Sequence, residues 1–146
     1  MSKLIKVYIA GPYSKPDPVE NTRFAILFAD RLLRAGYVPF VPHLTHFWHF
    51  LEPHPYRDWL DYDSEWLEVC DCLLRMAGDS PGADAEVEQM RELGKPVFHT
   101  VLELAAAFAP PKPEALPELA RSRTTEDTEN TDSPAIASAT AGKECV

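Results

Sequence analysis

Two acidic residues give the first chemical suggestion in this sequence, because each sits where a helix should be apolar. On a helical wheel drawn from Ala83, Val87 falls at about 40°, Met90 at about −20° and Leu93 at about −80°, which makes a continuous apolar stripe. Glu86 falls at about −60°, inside that stripe, whereas Glu88 and Glu92 face the other way. The same construction from Trp59 groups Tyr62, Trp66, Leu67 and Cys70 on one face. Asp63 lies among them at about 40°, and Asp61, Ser64, Glu65 and Glu68 lie opposite. A carboxylate in such a place loses hydration, so it must be paired, with loop backbone or an arginine such as Arg75 or Arg23, or put to use. An Asp and a Glu in one cleft suit work at a glycosidic carbon, where one attacks or stabilises and the other moves a proton.

Two turns could hold the rest of a substrate. Ser80 before Pro81 is a natural N-cap and Gly82 admits close approach to the backbone, so this helix start can meet an anion with its N–H groups. Gly11-Pro12-Tyr13 supplies a second turn, and together they describe a rim for a phosphate or a sugar. His43, His46 and His49 recur at intervals of three among Phe47, Trp48 and Phe50. They read either as a lid that stacks on a base, with His43 and His46 as binding residues and His46 donating a hydrogen bond, or as an aromatic loop packed under the next helix or into a subunit interface. No partner motif for zinc accompanies them, so neither metal nor dissociable cofactor is expected.

The elements that must position these residues alternate strictly. Leu4–Ala10 is an apolar strand stopped at Gly11-Pro12, and Asp17-Pro18-Val19-Glu20 opens a helix that runs to about Ala35 and stops at Gly36. Tyr37–Val41 is a short strand pushed toward an edge by Pro39, and Pro42–Arg57 has no clean period and reads as an irregular loop. A helix over Trp59–Cys70, with Trp59 and Trp66 as core, leads into a strand over Asp71–Met76. A helix over Ala83–Leu93, a strand over Pro96–Val101 and a helix over Leu102–Phe108 complete the order. The alternation predicts an α/β, Rossmann-like (flavodoxin-like) parallel sheet of four to five strands, with helices on both faces and functional loops at the carboxyl ends of the strands.

Three segments resemble the nucleoside 2-deoxyribosyltransferase superfamily, which includes the nucleoside 5′-monophosphate N-glycosidases. They are Tyr8-Ile9-Ala10-Gly11-Pro12-Tyr13, then Asp63-Ser64-Glu65-Trp66-Leu67 with Asp71 beyond, and Ser80-Pro81-Gly82-Ala83-Asp84-Ala85-Glu86 with Gly94 beyond. The resemblance implies a Rossmann-like catalytic domain in which Glu86 attacks the anomeric carbon and forms a glycosyl-enzyme intermediate. Asp63 would then assist or position the departing base, and Tyr8 would hydrogen-bond and orient Glu86. Ser80, with the backbone near Gly11 and Gly82, would hold the 5′ end. Ser80 stands where the monophosphate hydrolases carry Ser and the transferases an acid, six positions before the nucleophile. Whether the substrate is a nucleoside or a monophosphate, and the acceptor water or a second base, stays open.

Charge and length set the bounds. The 146 residues carry 14 Lys+Arg against 23 Asp+Glu, a net −9, and residues 1–111 keep 10 bases against 16 acids. A surface that neutralises the phosphates of a nucleic acid duplex is therefore not expected. Residues 1–111 read as one catalytic domain and 112–146, which has no aromatic residue, as a disordered tail. No apolar run suits a membrane span or a signal peptide, and Cys70, Cys72 and Cys145 suggest no disulfide framework, so a soluble, cytoplasmic protein is expected. So small a domain leaves its cleft open, which points to a homodimer or higher homo-oligomer. A nucleotide-binding or sensing module without turnover is the competing reading.

Overall fold

The computed structural model describes residues 3–115 and Pro117. Strand β1 (Lys6–Ala10) is buried from Val7 onward. Its alternation sends Val7 and Ile9 to one core cluster, and Tyr8 and Ala10 to another on the opposite face. It pairs in parallel with β2 (Val38–Phe40) on one side and β3 (Cys72–Arg75) on the other, and β3 pairs with β4 (Val97–Phe98). The order β2-β1-β3-β4 leaves β2 at an edge, the position that tolerates Pro39.

Helix α1 (Pro18–Arg34) begins as its sequence demands. The Asp17 side chain accepts from the N–H groups of Val19 and Glu20, and Pro18 takes a first-turn position whose N–H would have no partner. Its residues Ala25, Ala29 and Leu32 pack with Val7, Ile9 and Leu74, and Leu104 of α5 (Val101–Ala107) joins the same cluster. Helices α3 (Tyr56–Val69) and α4 (Pro81–Glu92) cover the other face, where Leu67, Ala83, Val87 and Met90 meet Tyr8 and Leu73. The sheet is thus parallel, four-stranded and covered on both faces. Its order reverses at β1, so the loops after β1 and β3 diverge and open a crevice at their carboxyl ends.

Two expectations are corrected. The stretch Pro42–Arg57 is not an irregular loop: a single 3₁₀ turn (Pro42–Leu44) runs into α2 (Thr45–Leu51), and α3 starts at Tyr56 rather than Trp59. Helix α2 buries no residue, so it carries no apolar stripe for a periodicity argument to find. Trp59 and Trp66 are not core either: Trp59 is half-buried and joins neither core cluster, and Trp66 lies at the surface. It is 38% exposed and stacks on Phe40 with ring centroids 4.7 Å apart, and the buried edge of α3 is instead formed by Leu67, followed by Cys70.

The segment assigned to a disordered tail lies outside the described residues beyond Ala115, apart from Pro117. Its first residues lie against the domain: the Lys112 N–H donates to the Ala35 carbonyl at 3.0 Å, and Ala115 packs on the α1 side of the core. No helix among the described residues is long and apolar enough to cross a membrane.

The crevice floor is set by two close approaches. A Cβ on Gly11 would stand 3.0 Å from Cβ of Met76, and a Cβ on Gly78 would stand 2.7 Å from Cγ of Pro12. Gly78 also has φ +116, a region that disfavours L side chains. Gly78→Ala should therefore cost on the order of 2 kcal/mol or more in a urea titration. Gly94→Ala, at φ +68 with nothing within 4 Å of the new Cβ, should cost about 1 kcal/mol, because only its backbone term remains. Equal losses at the two positions would remove the Pro12 contact as the cause.

Candidate active site

The crevice is a cleft of about 1190 Å³ at the ends of β1 and β3. Gly11, Pro12 and Tyr13 line it from the loop after β1, and Ser80 and Gly82 from the start of α4. Asp63 and Glu86 reach it from α3 and α4. Tyr8 stands behind Glu86, fully buried, and its hydroxyl donates to Glu86 Oε1 at 2.7 Å. Burial, and then the nearby Glu86 and Asp63 carboxylates, hold the Tyr8 phenol well above its ordinary proton affinity, so it remains a donor.

Neither Arg75 nor Arg23 hydrogen-bonds Asp63 or Glu86, although the nearby Arg75 charge lowers the Glu86 proton affinity. Arg75 is buried, and its guanidinium donates to Asp84 Oδ1 at 2.9 Å, to the Gly78 carbonyl at 2.9 Å and to the Met76 carbonyl. It thereby shapes the loop after β3. Arg23 pairs with Glu20 at 3.7 Å and lies over the Phe24 ring. Asp63 Oδ1 is buried with no hydrogen-bond partner. Burial raises the Asp63 carboxyl to about 7, and burial, opposed by the Tyr8 hydrogen bond and reinforced by Asp63, raises Glu86 to about 7. Both acids thus favour their neutral forms in this cleft, and the charge of Asp63 acts on Glu86. With one proton between them, Glu86 is the better anion, because Tyr8 donates to its charged form, and Asp63 is the better acid.

The helices that carry the pair are tied together. The Gln89 side-chain amide donates to the Ser64 hydroxyl across the α3–α4 gap. Lys95 donates to the Cys70 carbonyl at 2.7 Å, placing a cation at the C-terminal end of α3.

The other residues named from the sequence fall in two groups. Ser80 caps α4, its hydroxyl oxygen accepting from the Ala83 N–H at 3.2 Å, which leaves its own proton to donate. His43 lines the cleft and donates from Nε2 to the Pro12 carbonyl at 2.9 Å, so its buried Nδ1 is a lone pair without a partner. Burial lowers the proton affinity of this ring, which keeps it neutral. His46 is not among the lining residues. Its Nδ1 shares a 2.7 Å hydrogen bond with the Tyr13 hydroxyl, so it steadies a residue of the cleft.

Asn21, His49, Tyr56 and Trp59 also line the cleft, and none was marked as a site residue by the sequence. The Asn21 amide donates to the carbonyls of Tyr13 and Lys15, both at 2.8 Å, and so fixes the loop after β1. Such a role has no spacing signature. Trp59 could have been found: it stands one turn before Asp63 on the same helix face. Among the described residues no group of three or more His, Cys, Asp or Glu could hold a metal ion.

The fold and this cleft define a parallel α/β domain with two carboxylates of raised proton affinity at its topological switch point. The family model described as "Domain of unknown function (DUF7768)" matches residues 5–100, and the chain belongs to that family. No match is found among curated proteins. Among solved structures the chain is similar to one titled "2-desoxiribosyltransferase from Leishmania mexicana", with 18% identity and a TM-score of 0.49. That match covers 64% of this chain and 61% of the other, so the chain spans about three fifths of that protein's length.

A carboxyl that holds its proton more tightly folded than unfolded gives stability that is complete in acid and is lost as pH climbs from its unfolded value near 4 to about 7. Asp63→Asn removes the charge that must be buried above that range. The variant should melt higher than the wild type at pH 8, by on the order of 5 °C, with the gain closing toward pH 4. A gain of the same size at both pH values would show that Asp63 is not dehydrated as described.

Proposed function

We propose that this protein cleaves the N-glycosidic bond of a nucleoside or nucleoside 5′-monophosphate, with Glu86 as nucleophile and Asp63 as acid. The observation that carries this reading is the buried Tyr8 hydroxyl on Glu86, in one cleft with an Asp63 that has no partner. The resemblance of the three sequence segments to the nucleoside 2-deoxyribosyltransferase superfamily supports it. Glu86 attacks the anomeric carbon, the bond to the base breaks, and its electron pair stays on the base nitrogen, which takes the proton of Asp63. The glycosyl ester on Glu86 is then attacked by water or a second base, whose proton returns to the Asp63 carboxylate as Glu86 leaves. Tyr8 is a positioning residue that holds Glu86 ionised and aimed.

Ser80, with the backbone of Gly11 and Gly82, takes the 5′ end in this reading, and Lys15 is the one Lys or Arg among the lining residues. Tyr13 and His43 complete the wall around the sugar and the base. A second copy of the chain covers α2, where Phe47 is 66% and Phe50 77% exposed beside the cleft. Light scattering on the full chain should give a dimer or larger, and Phe47→Ser with Phe50→Ser should return it to a monomer. A monomeric wild type would remove this part of the reading.

The catalytic test is release of free base from nucleosides and 5′-monophosphates. Glu86→Ala should lower it about 1000-fold or more and Asp63→Asn about 100-fold or more. Undiminished release by Glu86→Ala would sink the nucleophile assignment. Tight nucleotide binding with no release by the wild type would favour the sensing module. A second base in the same mixture separates transfer from hydrolysis, since only transfer yields a new nucleoside. Glu86 must be ionised, so rate rises with pH through about 7; Asp63 must be protonated, so rate falls with pH through about 7. The profile of kcat/KM should be a narrow bell near pH 7, and Tyr8→Phe should move its acid limb upward. A rate that is flat from pH 5 to 9 would contradict both roles.

A further inference from the structure

Beyond the carboxylate pair, the cleft holds a histidine whose tautomer is fixed by its neighbours. His49 Nδ1 receives the Trp59 indole N–H at 3.0 Å and the backbone N–H of His54 at 3.3 Å. Neither group can accept a hydrogen bond, so Nδ1 carries a lone pair and the ring proton resides on Nε2. His49 and Trp59 both line the cleft. The Nε2–H is thus the polar group this ring has left to offer there. His43 in the same cleft holds the same tautomer, but its Nε2 proton is spent on the Pro12 carbonyl.

The place of this donor follows from α3. Trp59 is one turn before Asp63, on the same face, about 6 Å along the helix. A nucleoside whose glycosidic bond lies between Asp63 and Glu86 extends its base by roughly one such turn toward Trp59. What stands there is an aromatic face and an N–H donor. We infer that His49 is the specificity-determining residue for the base: its Nε2–H donates to an acceptor on the base edge opposite the glycosidic bond, and Trp59 is the positioning residue that fixes this tautomer. The required ligand is a planar base with a carbonyl oxygen or an unprotonated ring nitrogen on that edge. This inference rests on the glycosidic-cleavage reading for the direction in which the base lies.

Two measurements on the full chain test it. With the histidines labelled, nitrogen NMR of the unliganded wild type should show His49 unprotonated at Nδ1 and protonated at Nε2, and Trp59→Phe should admit the other tautomer. A wild-type His49 protonated at Nδ1 overturns the inference, whatever the enzyme does. The second measurement pairs each nucleoside with an analogue lacking the far-edge acceptor: uridine with its 3-deaza-4-deoxy analogue, the 2-pyridone riboside, and adenosine with 1-deazaadenosine. Wild type should lose about tenfold in kcat/KM on the analogue, mostly in KM, as expected for one hydrogen bond. His49→Phe should lose about tenfold on the parent and nothing further on the analogue, and His49→Gln, which keeps a donor, should recover part of the preference. Equal losses on parent and analogue in His49→Phe overturn the inference while leaving base cleavage standing. If wild type binds the nucleosides without cleaving them, the cleavage reading fails alone, and the same pairs are compared by affinity. Equal wild-type affinities, or no binding of either member, then overturn the assignment of His49.

Discussion

The hydrogen bond from Tyr8 to Glu86 is the constraint on which the cleft depends. It joins a central strand of the sheet to the helix that carries the carboxylate, and it needs a phenol that stays protonated while buried. Two acids facing one dehydrated cleft would otherwise be interchangeable, each favouring its neutral form. The Tyr8 donor, helped by the nearby Arg75 charge, favours the anion at Glu86 and not at Asp63. In the proposed reaction this makes Glu86 the anion and Asp63 the acid, the division of labour that covalent glycosyl chemistry requires. The rest of the local structure serves that division. Arg75, which could have neutralised either acid, is held by Asp84 and by two loop carbonyls, and Gln89 with Ser64 sets the spacing of the two helices.

The parallel alternation was legible because its signals are local and strong. Asp17-Pro18 and Ser80-Pro81 mark helix starts whose caps form as read, and Gly36 and Gly94 sit at positive φ just past helix ends. Asp63 and Glu86 were legible for a different reason. A charged residue on an apolar stripe contradicts its surroundings, and the structure places both in the cleft wall with raised proton affinities. The wheel was less reliable about the stripe itself. Leu93 and Trp66 lie on it and are exposed: Leu93 stands just past the end of α4, and Trp66 packs at the sheet edge on Phe40 of β2.

Helix α2 and the contacts of His49 were not legible, and the cause is physical. Periodicity reports a helix by the face it buries, and α2 buries none, so its histidines and aromatics look like a loop. Its order comes from side-chain pairs across elements: Tyr13 with His46, Trp59 with His49, and the edge-on packing of Trp48 against Trp59 and Tyr62. Such contacts join residues that are remote in sequence, or cross the connection between α2 and α3, which no spacing rule encodes. Asn21 is hidden in the same way, since an asparagine in a first helical turn reads as ordinary until the two carbonyls it serves are seen.

The proton affinities of the pair rest mainly on dehydration, and dehydration is not fixed in an open cleft. A sugar seated against Asp63 and Glu86 displaces water from both and pushes both affinities further upward. In the proposed reaction that change helps the acid and hinders the nucleophile, so drying alone would silence a pair of identical carboxylates. The Tyr8 hydrogen bond strengthens as the local dielectric falls, because its partner is charged. It therefore opposes the rise at Glu86 where opposition is needed, and does nothing at Asp63, where the rise is useful. A tyrosine buried on the central strand keeps this offset in place independently of how far the cleft closes.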